Sequence, residues 1–90
     1  MIKNYVKLCD EISETRKTIM NVIENIETLE QQNVAMIATN KAFTEMRTKI
    51  LKWNSSHLID HIEQNCLLDY LKETYKDIAN EYSHNLNFIK

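Results

Sequence analysis

The 90-residue sequence predicts an all-α fold: a long helical hairpin or coiled-coil-like helical bundle, completed by association with itself or with another protein. Three observations carry the prediction. The chain has no glycine and no proline, where average usage gives roughly ten of the two together. Tight turns, left-handed caps and kinks draw on those residues, and a β-rich fold needs many such turns. Apolar residues recur at steps of three, four and seven, which is helical spacing, and no stretch alternates as a strand does. Hydrophobic residues make up 43% and charged residues 27%, a balance that fits neither a disordered tail nor a membrane span. No stretch approaches the roughly 18 consecutive apolar residues that a transmembrane helix requires. A chain of this size forms one domain at most, and its single core is marginal without staples or partners.

The first stripe is Tyr5, Leu8, Ile12, Ile19, Ile23, Ile26 and Leu29. Met36, Phe43, Met46, Ile50 and Trp53 continue it with the same steps. Between them, in QQNVAMIATN at 31–40, the stripe thins and polar residues fall on the expected seam. A helix over 2–53 would be about 78 Å long, against about 50 Å for one over 57–89. A hairpin of the two leaves about 28 Å of the first uncovered, and that overhang carries Tyr5, Leu8 and Ile12. Either the first helix breaks near 31–40 and gives a three-helix bundle, or it stays whole and the overhang packs on another chain. The lack of glycine and proline favours the whole helix.

The corner is expected at Asn54-Ser55-Ser56, residues that compete for backbone hydrogen bonds and favour caps. Asp60 follows within the first turns and suits the positive end of a second helix over about 57–89. Its stripe reads Ile59, Ile62, Cys66, Leu71, Tyr75, Ile78, Tyr82, Leu86 and Ile89. Trp53 closes the end of the core as a large amphipathic plug, with a partner-binding anchor as its alternative role. Tyr75 and Tyr82 lie on the stripe, and Tyr70 lies off it as an exposed contact.

Net charge is −2, which argues against a general nucleic-acid binder. The charge is uneven. From Thr18 to Asn40 the charged residues are Glu24, Glu27 and Glu30 alone, an acidic ridge that would suit a basic partner. From Lys41 to Lys52 there are Lys41, Arg47, Lys49 and Lys52 against Glu45. An antiparallel pairing of two copies centred near Ala35 and Met36 sets Glu30 against Lys41 and Glu24 against Arg47. Such flanking pairs set orientation more than they add stability.

Little else has a chemical look. His57 and His61 are spaced i, i+4, a spacing that can hold zinc. Cys66 lies about 140° round the helix from His61 and is poorly placed as a third ligand. The pair reads as two surface histidines near a helix start, and no metal is expected. Cys9 has Asp10 and Glu11 beside it, which disfavour a thiolate. Both cysteines read as free, buried, small apolar residues. No carboxylate sits in an apolar setting that would raise its pKa for acid catalysis, and no glycine loop cradles phosphate. The opening MIKNYVKLCDEI lacks the order of a signal peptide, so the chain is expected in the cytoplasm, with non-classical export left open.

A tryptophan at the turn between two helices, Trp53-Asn54-Ser55, resembles the WXG100 class of small secreted helical hairpins. The chain departs from that pattern in having no glycine after Trp53 and no tyrosine followed four residues later by an acid. The Leu51-Lys52-Trp53 corner with its helical arms is also similar to small helical subunits of spindle and kinetochore assemblies, and no functional residue is carried over from either. The expectation is a non-enzymatic assembly subunit whose stripe residues Tyr5, Leu8, Ile12, Ile19 and Ile23 cover a partner helix. Glu24, Glu27, Glu30, Lys41, Arg47, Trp53 and Tyr70 are the further contact residues. The alternative is a small monomeric three-helix inhibitor or effector that docks through the acidic ridge. No cofactor, nucleic acid, membrane or small-molecule substrate is expected.

Overall fold

Thr28 and Gln31 decide the architecture. In the computed structural model, which describes residues 2–89, the chain turns just before them. The Gln31 backbone N–H donates to Thr28 Oγ1 at 3.1 Å, and the Thr28 backbone N–H donates back to Gln31 Oε1 at 3.2 Å. This reciprocal capping box satisfies donors that a helix start leaves open. The result is three helices among the described residues: α1 over Ile2–Glu24, α2 over Leu29–Ser55 and α3 over His61–Asn85, followed by one 3₁₀ turn, Leu86–Phe88. The expected single helix over 2–53 is therefore not formed. The break falls at 25–28, upstream of the 31–40 stretch, which is helical throughout. The turn needs no glycine. The backbone N–H groups of Asn25 and Ile26 bond back to the Val22 and Ile23 carbonyls, and the capping box then restarts the helix.

The second corner also differs from expectation. α2 runs through Asn54 and Ser55, and α3 begins at His61, not at 57. Asp60 is the N-cap, with the Glu63 backbone N–H donating to Asp60 Oδ1 at 2.7 Å and the Asp60 N–H to Glu63 Oε1 at 2.9 Å. Asn54, Ser55 and Ser56 lack an acid or amide three residues on, so Asp60 with Glu63 makes the better start. α2 closes in a Schellman motif: the Leu58 N–H bonds the Trp53 carbonyl at 2.9 Å and the His57 N–H bonds the Asn54 carbonyl at 3.0 Å. His57 sits at the left-handed position, with φ 60°. Glycine usually takes this place, and the chain has none.

The helices run up, down and up. Asn4 donates to the Leu58 carbonyl and Ser13 bonds Tyr70, so α1 and α3 rise together. Lys49 meets Glu11, and Gln32 meets Tyr82, so α2 runs against both. The three lengths are similar, about 35–40 Å each, in a rod of 48 × 16 × 15 Å. The uncovered overhang that called for a partner is absent.

Leu8, Ile12 and Ile23 of α1, Phe43 and Ile50 of α2, Ile59 in the corner, and Leu67, Leu71, Ile78 and Tyr82 of α3 form one core. Burying each of the larger apolar side chains contributes about 1.5–3 kcal/mol. The expected stripe of the last helix is partly wrong. Ile62 is 74% exposed and Cys66 is exposed, while Leu67 and Thr74 are buried. Leu67, Leu71, Thr74, Ile78 and Tyr82 fix the inner face of α3, and at 3.6 residues per turn Ile62 lies about 140° and Cys66 about 100° round from Leu67. Cys9 is half-buried against the core, and both cysteines are free.

Candidate functional site

α2 presents two different surfaces. Its inner seam is partly polar: Gln32 and Thr39 are buried alongside Phe43 and Ile50. The Thr39 and Tyr82 hydroxyls lie 2.8 Å apart, Gln32 Nε2 donates to the Tyr82 carbonyl at 3.2 Å, and Asn85 Nδ2 donates to Gln32 Oε1 at 3.0 Å. Among the described residues no buried side-chain nitrogen or oxygen lacks a partner. The polar thinning of the sequence at 31–40 is thus the core seam of the α2–α3 contact, satisfied in full.

The apolar residues of the same stretch point the other way. Val34 is 64% exposed and Ile37 71%, with Met36 and Ala38 also exposed and Ala35 half-buried. Because Gln32, Thr39 and Phe43 fix which side of α2 faces inward, the helical period turns Val34 and Ile37 to the outside. Glu30 and Lys41 flank them at the same rotation, since 30, 34, 37 and 41 step by four, three and four, and both are exposed. On one side the patch adjoins a shallow groove between α1 and α2, where Val22, half-exposed, meets Val34, Ala35 and Ala38. On the other, a groove of about 360 Å³ between α2 and α3 is bordered by Leu29, Met36, Tyr75 and Leu86. Tyr75, expected in the core, is exposed at the rim. Its ring meets the Phe43 ring edge-on at 5.3 Å, and its hydroxyl donates to Asn40 Oδ1.

The residues singled out from sequence fall into three groups. Leu8, Ile12 and Ile23 are buried in the chain's own core, and Tyr5 and Ile19 are partly buried against it. They cover α2 and α3, not a partner helix. The Tyr5 hydroxyl is held above its ordinary pKa, chiefly by a hydrogen bond with Cys9, then by the Cys9 charge, burial, Cys66 and Glu63. Glu24, Glu27 and Glu30 are exposed but do not form one helical ridge: Glu24 ends α1, Glu27 lies in the turn and Glu30 opens α2. They cluster at one end of the rod instead. The pairing of Glu24 with Arg47 along one continuous helix is lost with the break.

Lys41, Arg47 and Tyr70 are exposed, and Tyr70 OH lies 2.6 Å from Ser13 Oγ. Trp53 is half-buried against the core at the end of α2, as a plug would be. Lys49 Nζ lies 5.2 Å from its ring centroid and Lys7 Nζ 5.9 Å, within cation–π range. Lys49 also pairs with Glu11 at 2.8 Å. Both partners are partly solvated, so the pair adds little stability and mainly fixes the Lys49 side chain beside the ring.

His57 and His61 do not share a helix face, because His57 lies in the corner and α3 starts at His61. Among the described residues, no three His, Cys, Asp or Glu side chains come together as a metal site requires, and no helix is long and apolar enough to cross a membrane. Sequence reasoning does not single out Val34 and Ile37 as exposed apolar residues. Their signal was legible as the run Val34-Ala35-Met36-Ile37-Ala38 beside a polar seam, once the inner face was known.

The WXG100 resemblance implied a two-helix hairpin, and the chain folds as three helices. Comparison with protein-family models, curated proteins and solved structures gives no match.

Proposed function

We propose that the chain is a non-enzymatic protein-interaction module, an assembly subunit that binds through the outer face of α2. The observation that supports this reading most is the exposure of Val34 and Ile37 on a helix whose inner side is already fully packed. Isolated exposed apolar residues are ordinary, but a contiguous patch rimmed by opposite charges marks an interaction surface. The driving force is apolar burial, at about 25 cal/mol per Å² removed from water, with Glu30 and Lys41 orienting the partner.

A photo-crosslinking amino acid at Ile37, introduced in the source cells, tests the reading. The expected result is protein adducts of discrete mass from position 37 and none from the exposed Glu73 on α3. Indistinguishable, background-level labelling from both positions would sink it.

A second reading rests on the acidic end. Glu24, Glu27 and Glu30 are exposed at the α1–α2 turn, and none forms an ion pair among the described residues. A monomeric effector could dock this end on a basic partner. It predicts adducts centred on 24–30, with position 37 silent.

A further inference from the structure

We infer that the occupant of the α2 outer face is a second copy of this chain, docked antiparallel about a two-fold axis that passes between Ala35 and Met36. The inference rests on the interaction reading above and names its partner. The face carries Glu30, Val34, Ile37 and Lys41, at steps of four, three and four. That spacing is the same read from either end, with apolar residues inside and opposite charges outside. A two-fold axis perpendicular to the helix therefore sets Val34 against Ile37 of the second copy and Glu30 against its Lys41, each contact made twice. This self-complementarity is what an isologous interface requires. A parallel arrangement would oppose Glu30 to Glu30 and Lys41 to Lys41, and like charges across an interface select against it.

Val22 extends the apolar strip beside Val34 and Ala38 without adding charge, and all three line one groove. The lone glutamate of the turn, Glu27, comes towards Thr44 and Glu45 of the second copy's helix, a like-charge contact at the margin, while Arg47 lines the α2–α3 groove away from this face. The break at 25–28 leaves this geometry intact, because all four facing residues lie within α2. The contact is short, about 17 Å of helix. It belongs to the small, transient class of interfaces, below about 1,200 Å², so the dimer is expected to dissociate in the micromolar range or above.

Sedimentation equilibrium of the full chain in reducing buffer tests the proposal through charge reversal. E30K gives a face with two cations and K41E one with two anions. Each alone is expected to raise the dimer dissociation constant about tenfold, with two flanking pairs turned from attractive to repulsive. The double variant E30K/K41E restores the homodimer. An equimolar mixture of the two single variants restores association as a heterodimer, since each glutamate then meets a lysine across the axis. Both positions are exposed, and unchanged far-ultraviolet circular dichroism checks that the fold survives. Ile37→Glu is expected to abolish association in every combination. A wild-type chain that stays monomeric at millimolar concentration overturns the proposal, as does a mixture that associates no better than its components. Adducts from position 37 to other proteins, with the chain itself monomeric, would overturn the self-pairing and leave the interaction reading standing. Absence of any adduct would remove that reading as well.

Discussion

His57 shows what a chain without glycine does where a helix must end. Its φ of 60° lies in the left-handed region, which costs a residue with a Cβ roughly 1–2 kcal/mol. The cost is accepted because two backbone bonds, from the N–H groups of His57 and Leu58, close the α2 terminus. His57→Gly removes the steric penalty but adds chain entropy to the unfolded state, so a net gain of up to about 1 kcal/mol is expected. For a domain of this size that raises the thermal midpoint by several degrees. A differential scanning calorimetry trace with a lower midpoint would mean that the imidazole makes a contact that matters more than the backbone. Tyr82 works in the opposite way, as a polar group made safe by its partner. Tyr82→Phe strands the buried Thr39 hydroxyl, at a cost of about 1–3 kcal/mol. The paired variant with Thr39→Val is expected to lose less than the sum of the two single losses, by about 1 kcal/mol, in urea denaturation. Strict additivity would show that the two hydroxyls do not depend on each other.

At the scale of elements, helix existence was legible and helix ends were not. Steps of three and four from Tyr5 to Trp53 gave two helices their inward residues, and Leu8, Ile12, Ile23, Phe43 and Ile50 are buried as their spacing requires. Glycine and proline, the residues that usually terminate helices, are absent and mark neither break. The breaks lie where residues that start helices stand: Thr28 with Gln31, and Asp60 with Glu63, each a cap with its reciprocal partner three positions on. Both pairs are visible in the sequence. What was not visible is that Asn25 and Ile26 could make the first turn with backbone bonds alone. The same error propagated to the candidate site. A first helix left whole leaves Tyr5, Leu8 and Ile12 uncovered and hands them to a partner. The break folds α2 and α3 over them. Val34 and Ile37, in the stretch where the stripe thins, are then among the apolar side chains left exposed, with Ile2, Ile62 and Phe88 elsewhere. Seam assignment was the missing step: Gln32 and Thr39 are polar yet face inward, which only the Tyr82 and Asn85 partners on another helix explain.

At the scale of the molecule, the chain is a rod with distinct ends. Glu24, Glu27, Glu30 and Glu81 gather at the end where α1 meets α2. Lys3, Lys7, Lys49 and Lys52 lie at the end where α2 meets α3, mixed there with Asp10, Glu11, Asp60 and Glu63. One end is thus acidic and the other mixed in charge, and the acidic end disfavours a copy laid parallel to the first. The core of the rod is covered by the chain's own three helices.

Association of this rod through the outer face of α2 can be read residue by residue. The most direct test is a series of ¹H–¹⁵N correlation spectra of the labelled chain, taken as its concentration is raised tenfold. Progressive shifts are expected, confined to 30–41 and to Val22 beside them, with Tyr5, Leu8 and Ile12 unmoved. Shifts centred on those three α1 residues, or spectra that do not change at all, would contradict it.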